Sequence, residues 1–108
     1  MNEKRRKRLQ SCSGRLNDII DEFSKFNLSS KLSQIGDEVE AVKDEEEEAF
    51  DNLPDQFQCG LKGVDMESAI NELEELIENI ESIIDDVSQV ADDLKKLNDE
   101  MNQKILII

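Results

Sequence analysis

Residues 66–101, MESAINELEELIENIESIIDDVSQVADDLKKLNDEM, decide the fold. Met66, Ala69, Leu73, Leu76, Ile80, Ile83, Val87, Val90, Leu94, Leu97 and Met101 recur at alternating steps of three and four. A helix turns about 100° per residue, so only a helix gathers positions of that spacing onto one face. Ile70, Ile77, Ile84 and Ala91 add a third apolar column beside those two. A two-stranded coiled coil needs only two columns, whereas a wider stripe marks a helix packed in a bundle. The spacing predicts a helix over 64–104, capped by Asp65, with Gly60 and Gly63 loosening the loop before it. It also predicts a three- or four-helix bundle completed by a second copy of the chain. The expected oligomer interface is Ile70, Leu73, Ile77, Ile80, Ile84, Val87 and Ala91.

Working back from this helix, the first half of the chain is helical in two phases. Leu9, Cys12, Leu16, Ile19, Phe23 and Phe26 form one stripe. Leu28, Leu32, Ile35, Val39, Val42, Ala49 and Leu53 form another, with Glu46 filling one seam position. The two-residue step from Phe26 to Leu28 swings the stripe by about 200°. A break near 27–30 is therefore expected, with Ser29 or Ser30 capping a new helix; a continuous helix with different partners on its two faces is the alternative. Asn52-Leu53-Pro54 ends this half, because asparagine tolerates a left-handed closing conformation and proline disfavours helix at the residue before it. Pro54 to Gln58 fits a single helical turn, with Phe57 tucked inward.

The predicted fold class is all-α: a long antiparallel helical hairpin forming one domain over 1–108. Its parts are a basic head (1–8), a first helical half (9–52), a connection (53–63), a long second helix (64–104) and an apolar tail (105–108). Whether 9–43 extends the hairpin or folds back as a third helix stays open at this level. Charged residues make up 37% of the chain and aromatics 4%, which suits narrow apolar stripes with charged flanks better than an aromatic-rich α/β core. The net charge of −14 is uneven. Residues 1–31 carry eight Lys/Arg against four Asp/Glu, and residues 32–108 carry five against 23. Lys4-Arg5-Arg6-Lys7-Arg8 is not followed by the apolar run of a signal peptide, and no stretch nears the ~20 apolar residues of a membrane span. Cys12 and Cys59 match no metal or redox spacing, and a secreted chain this poor in core would ordinarily carry more disulfides. A cytoplasmic location and no membrane partner are expected.

The run Asp44-Glu45-Glu46-Glu47-Glu48-Ala49-Phe50-Asp51-Asn52-Leu53-Pro54, with Phe57-Gln58 after it, resembles a run in small uncharacterised acidic helical-hairpin proteins of bacteriophages and prophages. The opening Met1 to Lys7 and the stretch from Glu67 through Glu74 are similar as well. The likeness covers residues 1–8 and 44–85 and departs over 9–43, where Gly14 and Gly36 fall, and at Cys59 to Gly63. It implies a helical hairpin of mobile-element origin, hence a host-cell cytosol, and brings no active site with it.

Four features bear on function. First, 13 carboxylates lie between Asp65 and Glu100, about one per 4 Å of helix rise. One DNA strand carries a phosphate per ~3.4 Å. Glu74, Glu78, Glu81 and Asp85 align at steps of three and four, a spacing at which like charges cost a helix roughly 0.2–0.5 kcal/mol per pair. Such a face fits either a solvated surface or a decoy for a groove meant for nucleic acid. Second, Asp44 to Glu48 opposes the helix dipole, but the calcium-loop pattern is missing. Third, the basic tip Lys4, Arg5, Arg6, Lys7 and Arg8 would lie beside Lys95, Lys96 and Lys104 in a hairpin. It suits phosphates or the acidic end of another subunit; without neighbouring aromatics, stacking on bases is not expected. Fourth, Ile105 and Ile108 continue the helix stripe, so the tail either docks into the bundle or offers a contact to another protein.

Catalysis finds little support. There is no histidine, and neither cysteine has a partner base. Glu45 and Glu48 imitate the first carboxylate pair of all-α nucleotide pyrophosphohydrolases, but the second helix offers only Glu78 and Glu81 where Glu-x-x-Asp belongs. The sequence thus points to a non-enzymatic, self-associating interaction module without catalytic residues, metal or cofactor. The alternative is a DNA-mimic-like inhibitor of a host nucleic-acid-binding defence protein, in the manner of anti-CRISPR or anti-restriction proteins. A metal-dependent nucleotide hydrolase is the third reading.

Overall fold

The computed structural model describes residues 1–107, so the expected docking of Ile108 lies outside it. The chain is an all-α helical hairpin. Helices α1 (Glu3–Phe26) and α2 (Leu28–Asp51) form the first arm. A single turn, α3 (Asp55–Gln58), leads into α4 (Leu61–Ile107), which forms the second. No strand occurs among the described residues. No third helix folds back from 9–43: α1 packs along the end of α4, and α2 packs along its beginning.

The break between α1 and α2 falls at Asn27, within the expected window. Asn27 adopts φ 54° and ψ 49°, the left-handed conformation that asparagine reaches with less strain than most residues. Ser29 and Ser30 therefore lie inside the first turn of α2 rather than capping it. Asn52, expected to be left-handed, is not; its N–H still bonds Glu48 O at 3.0 Å, and Leu53 N–H tightens onto Phe50 O at 3.0 Å.

Two compact units make up the chain. The first joins Met1–Ser29 to α4 from Asp85 onward. Its seam runs through Leu9, Ser13, Leu16, Ile20 and Phe23 on α1, against Val87, Ala91, Leu94, Asn98, Met101 and Ile105 on α4. Leu16 and Ile105 are its buried apolar side chains. Between them lies a polar layer. Buried Ser13 donates through Oγ to Asn102 Oδ1 at 2.6 Å and reaches Asn98 Oδ1 at 3.4 Å. Asn98 Nδ2 in turn donates to Asn17 Oδ1 at 2.9 Å. The expected α1 stripe is thus corrected by one residue: Ser13 stands in for Cys12, and half-buried Ile20 for exposed Ile19.

Arg6 closes this unit by donating through Nη1 to the carbonyl of Ile105 at 3.2 Å. Carbonyls of a last helical turn lack intrahelical donors and sit at the negative end of the dipole. At the same end of α1, Asn2 Oδ1 caps the helix by accepting from the Arg5 N–H at 2.9 Å. Part of the basic head is thereby explained as a cap on α4.

The second unit, Ser30–Ile84, pairs α2 with the start of α4. Its first-arm seam is Leu32, Gly36, Val39, Lys43, Glu46 and Phe50 on α2, with Leu53 just beyond it, each half-buried. Gly36, Lys43 and Phe50 take the places expected for Ile35, Val42 and Ala49, while Glu46 holds the seam position read from the sequence. The physical reason is close approach. A Cβ on Gly36 would lie 3.4 Å from Ile80 Cγ2, so glycine lets α4 come near. Lys43 lays its alkyl stem in the seam and brings its ammonium to 3.9 Å from Glu47.

The connection is tighter than expected. Phe57 points outward, and Gln58 takes the inward role, its Nε2 donating to the carbonyls of Phe50 at 3.2 Å and Leu53 at 3.1 Å. Gln58 thereby supplies donors to the orphan carbonyls that end α2. Helix α4 begins at Leu61, so Asp65 lies within it and is not its cap. Gly63 is buried in the first turn of α4, directly against the backbone of Gln58.

Candidate interaction surface

The seam of α4 is a pair of columns: Met66, Leu73, Ile80, Val87, Leu94 and Met101, and Ile70, Ile77, Ile84, Ala91, Asn98 and Ile105. All of these are half-buried or buried. The residues expected to form an oligomer interface, Ile70, Leu73, Ile77, Ile80, Ile84, Val87 and Ala91, therefore serve the pairing within the chain. In the second unit Ile70 shares a cleft with Phe50, and Ile77, Ile80 and Ile84 share one with Gly36. Of three available apolar columns, α4 uses the two that meet Gly36 and the Ser13 layer. The third column is left over.

That third column is Ala69, Leu76, Ile83, Val90 and Leu97, repeating every seven residues along α4. Leu76, Ile83, Val90 and Leu97 are between 46 and 51% exposed. The first arm carries matching positions. In the second unit Ile35 and Val42 are 55 and 44% exposed, and in the first unit Ile19 is 51% exposed.

These leftover columns fall on one flank of each unit. Two antiparallel helices are related by a local twofold axis normal to the plane that contains them. That axis carries the column on one side of a seam onto the same side of its partner. The other flank of each unit is polar, as the clefts confirm. Ser33 and Glu40 of α2 line one cleft with Glu81 of α4, and Glu47 lines another with Glu67. In the first unit, Gln10 and Ser13 share a cleft with Asn102. On the apolar side of that unit, Leu9 shares a cleft with Leu97, Met101, Lys104 and Ile105. Each unit is thus greasy on one flank and polar on the opposite one.

No family model matches this chain, and no curated protein or solved structure does either. The surface is therefore read from its own chemistry.

The acidic face read from the sequence is exposed throughout: Glu74, Glu78 and Glu81 in the second unit, and Asp85 where α4 enters the first. Glu74 falls one heptad before Glu81, on the polar flank. In the basic tip Lys4, Arg5, Lys7 and Arg8 are exposed, and Arg6 is half-buried by its bond to α4. Nearby, Lys104 Nζ lies 2.8 Å from Glu100 Oε1. That bond, with the attraction between the two charges, lowers the Glu100 pKa and raises that of Lys104. Among the described residues no group of three or more potential ligands is placed to hold a metal ion. Both cysteines are free thiols, and no described helix is long and apolar enough to cross a membrane. In the tail, Ile105 docks while Leu106 and Ile107 are exposed.

Sequence reasoning found the three columns but took the wrong pair for the seam. Asn98 carried the missing signal, since it continues the column of Ile84 and Ala91 and finds its partners only on α1. The polar layer and the role of Gln58 had no periodic signature to reveal them.

Proposed function

We propose that this chain is a non-enzymatic protein-interaction module of bacteriophage type, an acidic helical hairpin that associates with copies of itself in the host cytoplasm. The uncovered apolar flank carries this reading. A solvated surface would place charge at Ile35, Val42, Leu76 and Ile83, whereas the chain keeps branched apolar side chains there. Exposed area points the same way. The chain exposes 8133 Å² at 12.4 kDa, against roughly 6,100 Å² for a typical folded monomer of that mass. The bacteriophage type rests on the sequence resemblance of the run that ends Asp51-Asn52-Leu53-Pro54. Size-exclusion chromatography with light scattering tests the reading: a mass of two chains or more is expected at micromolar concentration, and a persistent monomer overturns it.

A second reading has its own support. Glu74, Glu78, Glu81 and Asp85 line exposed positions of α4, open to a host protein with a basic groove, as in a nucleic-acid mimic. For such an inhibitor, changing all four to Asn or Gln lowers partner affinity at least tenfold in low salt. It also flattens the salt dependence, because screened charge supplies the attraction. Unchanged affinity rules this reading out.

A further inference from the structure

The two units differ sharply in charge. The first, Met1–Ser29 with α4 from Asp85, holds ten Lys/Arg and ten Asp/Glu and is neutral. The second, Ser30–Ile84, holds three Lys/Arg and 17 Asp/Glu, so it carries the whole −14 of the chain. Both present an uncovered apolar flank, Ile19, Val90 and Leu97 in the first and Ile35, Leu76 and Ile83 in the second. Covering the second flank with a like unit would set −14 against −14 across an interface that excludes water. Like-charge juxtaposition there is a strong bar to association.

We infer that self-association is head to tail: the apolar flank of the neutral unit in one copy covers that of the acidic unit in another. This rests on the self-association proposed above and adds which surfaces meet. Apolar columns supply the attraction in any orientation, and charge decides among orientations. The neutral unit also brings cations to its apolar flank. Arg5 and Arg8 line a cleft with Leu9 and Cys12, whereas Lys104, beside Leu97, is already paired with Glu100 in the same cleft. The two arginines border the flank that faces the carboxylate-rich unit of the other copy. Arg5 and Arg8 thereby offset part of the carboxylate charge at the rim of that contact.

Cysteine pairing tests this directly, since Cys12 lies on the flank side of the neutral unit, one heptad before Ile19. In a Cys59→Ser background, Cys12 stays alone or is joined by one cysteine in the acidic unit, at Ile35, Val42 or Ala49 in turn. A short bis-maleimide is added at a protein concentration where light scattering shows association. Covalent dimers are expected with at least one of the added cysteines, and neither with Cys12 alone nor with that added cysteine alone once Cys12 is also Ser; dimers through the added cysteine alone overturn the arrangement. Covalent dimers through Cys12 alone, or none from any variant in associated protein, overturn the head-to-tail arrangement while self-association stands. A wild-type monomer overturns both.

Discussion

Gly63→Ala lowers the free energy of unfolding by about 3 kcal/mol, the upper end of what overpacking a close contact costs. The added Cβ would meet the carbonyl oxygen of Gln58, lying also 2.5 Å from its carbonyl carbon and 2.7 Å from its Cα. Those are backbone atoms, held in place because the Gln58 side chain is bonded to Phe50 and Leu53. No rotamer change relieves them, so the α3 turn must lift away from α4. Alanine's higher helix propensity returns at most about 1 kcal/mol. Denaturation followed by circular dichroism measures the difference. Gly14→Ala is the control, since nothing lies within 4 Å of a Cβ there, and it stabilises by up to about 1 kcal/mol. Equal stability of Gly63→Ala and the wild type would mean that the turn does not close as described.

Substituting Leu76 and Ile83 together by Glu has the largest effect on assembly. Each side chain is about half-exposed within its own chain, so the change removes little of the intrachain seam, and the melting temperature moves by only a few degrees. In an associated form each residue leaves water, and burying a large aliphatic side chain contributes about 1.5–3 kcal/mol. Glutamate both forfeits that contribution and adds charge to a unit already at −14. The dissociation constant rises at least about a hundredfold, equivalent to roughly 2.7 kcal/mol. Sedimentation equilibrium on the double variant, with helicity checked in parallel, gives the answer. Retained association would show that some other surface joins the copies.

The fold was legible because a helical stripe is a strong, local signal: 36 residues of unbroken spacing leave no other geometry. The break at Asn27 was legible for the same reason, as a jump in phase. The choice of seam was not. Ile35 and Gly36 are neighbours, and hydrophobicity alone assigns the seam to isoleucine. Close approach of two backbones assigns it to glycine. Likewise Lys43 reads as a surface residue, although its alkyl stem can line a seam while its head stays wet. Phe57 looked like the anchor of the connection, but an open row of carbonyls needs a donor, and Gln58 has one. In each case the deciding partner lies on another element, beyond the reach of periodicity. The apolar flank follows the same pattern: its residues were visible in the sequence, but their being left over appeared only once the other two columns were spent.

The Ser13, Asn98 and Asn102 cluster has a consequence for alignment. Aliphatic side chains repeating every seven residues are nearly interchangeable, so α1 sliding along α4 by one repeat would still lay grease on grease. A slip in either direction sets buried Ser13 against Ile105 or Ala91 in place of Asn98 and strands its hydroxyl, at about 1–3 kcal/mol for a buried unsatisfied group. A handful of polar atoms thus works as a vernier, admitting one offset between the two helices and rejecting its neighbours a heptad away.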